Sequence, residues 1–233
     1  MLAIVSMRFS PGYSECVTLR NGSAAELRLI RPDDKELLLR GFHELSSTSR
    51  YLRFLVPKTS LSTSELRYLT EVDHLTHIAI GAVSIPASSD EEPRGLGIAR
   101  LIAIKDEPGY AEAAIAVRDE IQGQGLGSML FQRLVAAGRE RGITHVRCEV
   151  LAANNTMKDL IASIAPNYTV DVGGGVVSIV FPLDVPTAPP VELASDAIEP
   201  ASVRDWNPMQ TFFTALAHGT AKLRELFAAS REP

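Results

Sequence analysis

Apolar residues change their spacing several times along this chain. In CVTLRNG and ELRLIRP they alternate with polar residues around Asn21-Gly22, which predicts two short strands joined by a tight turn. Pro32-Asp33-Asp34 then opens a helical pattern, with Leu37, Leu38, Phe42 and Leu45 on one face. Ser62 and Glu65 form a capping box ahead of Leu66, Leu69 and Val72, so a second helix is expected there. Between these helices lies SRYLRF, where Arg50 and Arg53 flank Tyr51; packing with solvated arginines is its simplest reading.

From His77 the alternation is that of strands: HIAIGAV, GLGIARLIAI and AEAAIAV, the last two joined by the turn-like KDEPGY. A polar insert, SIPASSDEEPRG, separates the first two. Ser128 to Arg139 reads as a helix burying Met129, Leu130, Leu134 and Val135, followed by the strand HVRCEVL and the short helix NTMKDLIASIA. YTVDV and VVSIVFPL, around Gly173-Gly174-Gly175, close as a hairpin. The order predicts an α/β (α+β) fold: two helices after the initial strands, three mainly antiparallel strands, a glycine loop with its helix, another strand, another helix and a final hairpin.

Beyond Leu183 the composition shifts. The reading divides the chain into an N-terminal segment (1–16), a domain (17–183), a Pro/Ala-rich linker (184–207) and a C-terminal amphipathic helix (208–229). Phe212, Leu216, Leu223 and Phe227 form the apolar face of that helix. It can pack on its own domain, on a second copy in a homodimer, or on another protein.

Composition narrows the function classes. A formal net charge of -5 argues against a nucleic-acid partner. MLAIVSMRF lacks the basic start and apolar length of a signal or anchor, and no other run approaches a membrane span, so no membrane partner is expected. Cys16 and Cys148 form neither a metal-ligand spacing nor a disulfide framework, which fits a reducing, cytoplasmic setting.

IQGQGLGSML carries the chemistry. Its closely spaced glycines let backbone N–H groups converge on an anion, and the helix that follows adds free N–H groups and a positive dipole end, a combination suited to phosphate; a tight strand-to-helix turn whose glycines only relieve crowding is the alternative. A P-loop is excluded because no Lys follows Gly127. The dinucleotide fingerprint fails as well, since the third glycine position falls on Ser128 or Leu130.

With Gln122, Gly125 and Gly127 at the positions of a Q/R-x-x-G-x-G/A loop, the chain resembles the GNAT superfamily of acyl-CoA-dependent N-acyltransferases. SRYLRF, LTEVDH, AEAAIAV, QGQGLG and VLAANNTM, in that succession, resemble the bacterial protein lysine acetyltransferase domains. The resemblance implies the GNAT fold, a mixed, mostly antiparallel twisted sheet flanked by helices, from about Val17 to Leu183, acetyl-CoA as co-substrate without a metal, and a primary amine as acceptor, protein lysine foremost. A small-molecule amine as acceptor and a non-catalytic acyl-CoA-binding sensor stay open as alternatives. It implies that Gln122, Gly123, Gln124, Gly125, Leu126, Gly127 and Ser128 hold the pyrophosphate of coenzyme A. Ile115, Ala116 and Val117 would pair with the pantetheine arm. Asn154 would bond the arm or shape the parting of the strands, with Met157 beside it; Asn154 is equally a helix N-cap.

A lysine-like amine has a pKa of ~10.4 and needs a base before it can attack a carbonyl. Alternation puts Glu112, Ala114 and Ala116 on one strand face, where the alanines leave room beside the carboxylate and apolar surroundings should raise its pKa. The matched family position is a glutamate with the role of general base. Glu149 is the weaker substitute, and a backbone N–H of the same strand is the candidate donor to the oxyanion. The chain departs from many family members in having no Tyr in NTMKDLIASIA to protonate the leaving thiolate. His74 and His77 read as structural and Cys148 as core.

Overall fold

The computed structural model describes residues 7–183 except 87 and 89. The expected linker (184–207) and C-terminal helix (208–229) lie outside the described residues.

Among the described residues eight strands form one sheet. They are β1 (Ser14–Thr18), β2 (Ala24–Leu29), β3 (His77–Ser84), β4 (Gly95–Ala103), β5 (Tyr110–Val117), β6 (His145–Leu151), β7 (Thr169–Gly173) and β8 (Val176–Pro182). Their spatial order is β1-β2-β3-β4-β5-β6-β8-β7. All neighbours are antiparallel except β5 and β6, which are parallel and joined through the helix α4 (Leu126–Glu140). This is the mixed, mostly antiparallel twisted sheet, flanked by helices, that the resemblance implied.

One sheet face is covered by α4 and α5 (Asn155–Ile164). Leu130, Phe131 and Leu134 of α4 are wholly buried with Ile80, Leu101, Val146 and Phe181 of the strands. Each such side chain stabilises the fold by about 1.5–3 kcal/mol. The helix starts at Leu126 rather than Ser128, and Phe131 replaces the half-buried Met129 in its core stripe. The other face, which carries Arg100 and Glu112, lies under α1 (Lys35–Glu44), α2 (Ser47–Phe54) and α3 (Thr63–Thr70). Phe42, Phe54, Leu61 and Leu69 form a second cluster there.

Two features depart from the sequence reading. SRYLRF, whose pattern predicts no element, belongs to α2, whose N-cap Ser46 accepts the Ser49 N–H at 3.0 Å. The helix is too short for a clear period, and the polar run Ser46 to Ser49 hides its cap. The packed unit also starts before Val17. Phe9 is 1% exposed in the main core, and its N–H donates to Glu140 at 3.1 Å. No regular element surrounds Phe9, so no periodicity could mark it. Among the described residues no helix is long and apolar enough to cross a membrane.

Candidate active site

β5 and β6 pair only at Tyr110↔His145, Ala111↔Val146 and Glu112↔Arg147. Past Glu112 they part, while β5 stays paired to β4 through Val117 and β6 to β8 through Leu151. A wedge opens between two strands that are each held from behind. The β6-facing edge of β5 therefore keeps backbone groups free, as strand addition by an extended, amide-bearing ligand requires.

A cavity of about 540 Å³ occupies the wedge. Glu112, Ile115, Ala116, Val117, Gln122, Gly123, Gly127, Asn154 and Met157 all line it, so residues spread over some forty-five positions of sequence meet at one place. Gln124, Gly125, Leu126 and Ser128 do not line it. Leu126 has its side chain in the core, which leaves only its N–H for a ligand.

The loop is built from backbone. Gly125 is the N-cap of α4 at φ 87°, a left-handed conformation, and has no side chain to cap the helix. The first intrahelical bond runs from the Met129 N–H to the Gly125 carbonyl at 3.2 Å, so the preceding N–H groups have no helical partner. An imagined Cβ on Gly127 meets nothing closer than Leu160, Ile115 and Val117, at 3.8–3.9 Å. These features fit the pyrophosphate of coenzyme A: open N–H donors, a helix end and close access without side chains.

Gln122 has a different place from the one expected. Its side-chain amide donates to the Val117 carbonyl at 3.1 Å and to Ser49 Oγ at 3.3 Å, and its backbone N–H donates to Arg118 at 3.1 Å. With its donors engaged, Gln122 ties the end of β5 to the loop rather than offering an N–H to phosphate. Arg20 does related work that the sequence did not suggest. Its backbone N–H and its guanidinium donate to the carbonyls of Gln124 (3.1 Å) and Gly123 (3.2 Å). Those carbonyls are thereby held away from an incoming anion.

Asn154 is the N-cap of α5, accepting the Met157 N–H at 3.1 Å through Oδ1. The side chain also lines the cavity, so the cap and a ligand contact are compatible.

The far end of the cavity is charged. Burial, and then repulsion by Glu149, push the Glu112 carboxyl up to about 7, against the pull of Arg53 and Arg147. Glu149 is fixed by the Ser178 hydroxyl, which donates to it at 2.7 Å. Asp171, from the hairpin, joins the same wall. Sequence reading missed Arg53, Asp171 and Arg147 here. Arg53 could have been found only by recognising α2, and the other two only by knowing the strand register. Cys148 is buried, which raises its thiol pKa and makes it a core side chain. No tyrosine lines the cavity among the described residues.

The arrangement joins a glycine loop at a helix start, a parted strand edge and a carboxyl pushed up to about 7. A family model described as "Acetyltransferase (GNAT) family" matches residues 52–163. An acetyltransferase of Pseudomonas aeruginosa is 30% identical over 147 residues, covering 63% of this chain and 77% of that protein. Acetyltransferase Pat of Mycolicibacterium smegmatis is 29% identical over 193 residues, 81% of this chain and 54% of its own length. The chain thus spans about half of that relative. The crystal structure of the GNAT domain of S. lividans PAT aligns with a TM-score of 0.66 at 30% identity, over 75% of this chain and 99% of that domain.

Proposed function

Because the chain belongs to the acetyltransferase (GNAT) family, we propose that it transfers an acetyl group from acetyl-CoA to a primary amine, a protein lysine, with Glu112 as general base. The observation that carries this reading is Glu112 itself. It is a carboxyl poised near pH 7 at the point where β5 and β6 part, in the cavity that the glycine loop opens onto.

Bound acetyl-CoA supplies the acyl group as a thioester, in which the amine nitrogen bonds to the carbonyl carbon while the carbon–sulfur bond breaks and the thiolate leaves. The loop from Gly123 to Ser128 holds the pyrophosphate through its free backbone N–H groups, the Gln124 N–H being given to the Ile121 carbonyl at 3.3 Å. Ile115 to Val117 hold the extended arm by the free backbone groups of that edge, the Val117 carbonyl being taken by the Gln122 amide. Glu112 removes the proton that an amine of pKa ~10.4 still carries at neutral pH. A pKa of about 7 makes it a stronger base than an ordinary carboxylate while leaving it largely ionised just above neutrality. A backbone N–H of β5 stabilises the charge developing on the carbonyl oxygen. Water protonates the departing thiolate, since no tyrosine is at hand.

The acidic wall of Glu149 and Asp171 supports a cationic acceptor, because it attracts an ammonium group before the proton is lost. The resemblance of SRYLRF, LTEVDH and VLAANNTM to protein lysine acetyltransferase domains supports a protein side chain as that acceptor.

Radiolabelled acetyl-CoA offered to a cell extract and to a panel of small amines tests the proposal. Label on protein lysine is the expected result. Label on a small amine alone would move the acceptor to a metabolite. Tight binding with no transfer would mark an acyl-CoA sensor and overturn the catalytic reading.

A further inference from the structure

The sheet face that carries Glu112 continues into a smaller cavity that acetyl transfer does not use. It measures about 90 Å³ and is lined by Leu37, Phe42, Leu69 and Ile98 among others. Arg53, Phe54 and Ala116 line both this cavity and the one around Glu112, so the two adjoin. In its wall lies Arg100, only 3% exposed. Arg100 Nη1 meets His77 Nε2 at 3.2 Å, while Nη2 is buried with no hydrogen-bond partner among the described residues. The charged neighbour that acts on it most is Arg53, which repels it. A buried cation beside another cation, with a donor left over, is an arrangement that an incoming anion relieves.

We propose that Arg100, with Arg53 at the entrance, forms an anion site at the end of an acyl pocket, and that the protein accepts acyl-CoA thioesters whose acyl group ends in a carboxylate, of the succinyl class. The proposal rests on the reading of the main cavity as an acyl-CoA site. Register supports the reach. Arg100 stands opposite Ala114, and Ile98 opposite Ala116. Paired strands lie ~4.8 Å apart, so the backbones of Arg100 and Ala114 are about one strand spacing apart, a distance of the order that a short dicarboxylic chain spans. Ala114 and Ala116 put no large side chain on the sheet side between the cavities, while Arg53 and Phe54 line both from the helix side. An acetyl group stops short of the cation, and a neutral chain of succinyl length fills the cavity without satisfying Nη2. A terminal carboxylate does both, through a charge-assisted bond to a planar guanidinium.

Calorimetric titration of the full chain with acetyl-CoA, butyryl-CoA and succinyl-CoA tests this without knowledge of the acceptor. Succinyl-CoA is expected to bind at least roughly tenfold more tightly than butyryl-CoA, its neutral counterpart of equal length. Arg100→Met should erase that difference and leave the acetyl-CoA affinity unchanged. Succinyl-CoA binding no tighter than butyryl-CoA would overturn the assignment, as would a folded Arg100→Met variant that keeps the preference. If that variant does not fold, the comparison on the parent protein decides alone. Failure of all three thioesters to bind would instead sink the acyl-CoA reading of the main cavity, and this one with it.

Discussion

Glu112 and Arg147 stand opposite each other as the last register pair between β5 and β6, yet both terminal nitrogens of Arg147 go to Glu107, at 3.0 and 2.7 Å. The guanidinium nearest to Glu112 in register is therefore largely neutralised by another carboxylate. Burial and Glu149 then prevail over the remaining attraction and hold the Glu112 carboxyl near neutrality.

Glu149 is the charge that can be removed most cleanly. Glu149→Gln keeps an oxygen for the Ser178 hydroxyl but takes away the repulsion that raises the Glu112 pKa. The acid limb of the kcat/KM profile should move to lower pH. A limb that stays in place would show that Glu149 does not act on the group that titrates.

The loop glycines are distinguished by geometry. Gly125→Val puts a β-branched residue at φ 87°, which an L-residue adopts only at a cost of about 1–2 kcal/mol or more. It should abolish coenzyme A binding in calorimetry while the circular dichroism spectrum stays folded. Gly127→Ala is more revealing, because its Cβ meets nothing closer than 3.8 Å and alanine favours helix by up to ~1 kcal/mol. The variant should be at least as stable as the parent and still bind coenzyme A more weakly. Unchanged affinity would remove Gly127 from the phosphate contact.

Stability and activity should move in opposite directions at Glu112. Its carboxyl titrates near 4.5 when unfolded and about 7 when folded, so between these values the folded chain holds a proton that the unfolded chain has released. Stability is fully present below pH ~4.5 and is lost as pH rises through ~7. Glu112→Gln removes that loss, worth up to about 3 kcal/mol at 1.36 kcal/mol per unit. The melting temperature of the variant should exceed the parent's at pH 8 by several degrees, at ~2–4 °C per kcal/mol, and by little at pH 5. Equal melting curves at pH 8 would mean that the carboxylate is better solvated than its burial implies.

Much of this site was legible in the sequence because it depends on local rules. The glycine loop announces its own backbone freedom, and strict alternation in AEAAIAV sets Glu112, Ala114 and Ala116 on one face whatever lies around them. What stayed hidden depends on long-range register or on short elements. Arg147 and Asp171 reach the cavity only because β6, β8 and β7 align as they do. Arg53 depends on α2, whose two turns give no clear period. Gln122 could be placed in the loop, but not seen to turn its amide toward Val117 and Ser49. Phe9, in irregular backbone, carries no local signal of its burial.

The central claim is tested most directly by the pH dependence of turnover in Glu112→Gln, once an acceptor amine is in hand. Binding of acetyl-CoA should be nearly unchanged, and turnover near pH 7 should fall by roughly 10²–10⁴-fold, the usual contribution of a positioned base. In the parent, kcat/KM should rise through a pKa near 7. In the variant that limb should vanish, and part of the deficit should be recovered as pH climbs toward the amine's own pKa of ~10.4, where the acceptor arrives already deprotonated. A Glu112→Gln protein with parental turnover across that range would contradict the account and pass the role to Glu149 or to an ordered water.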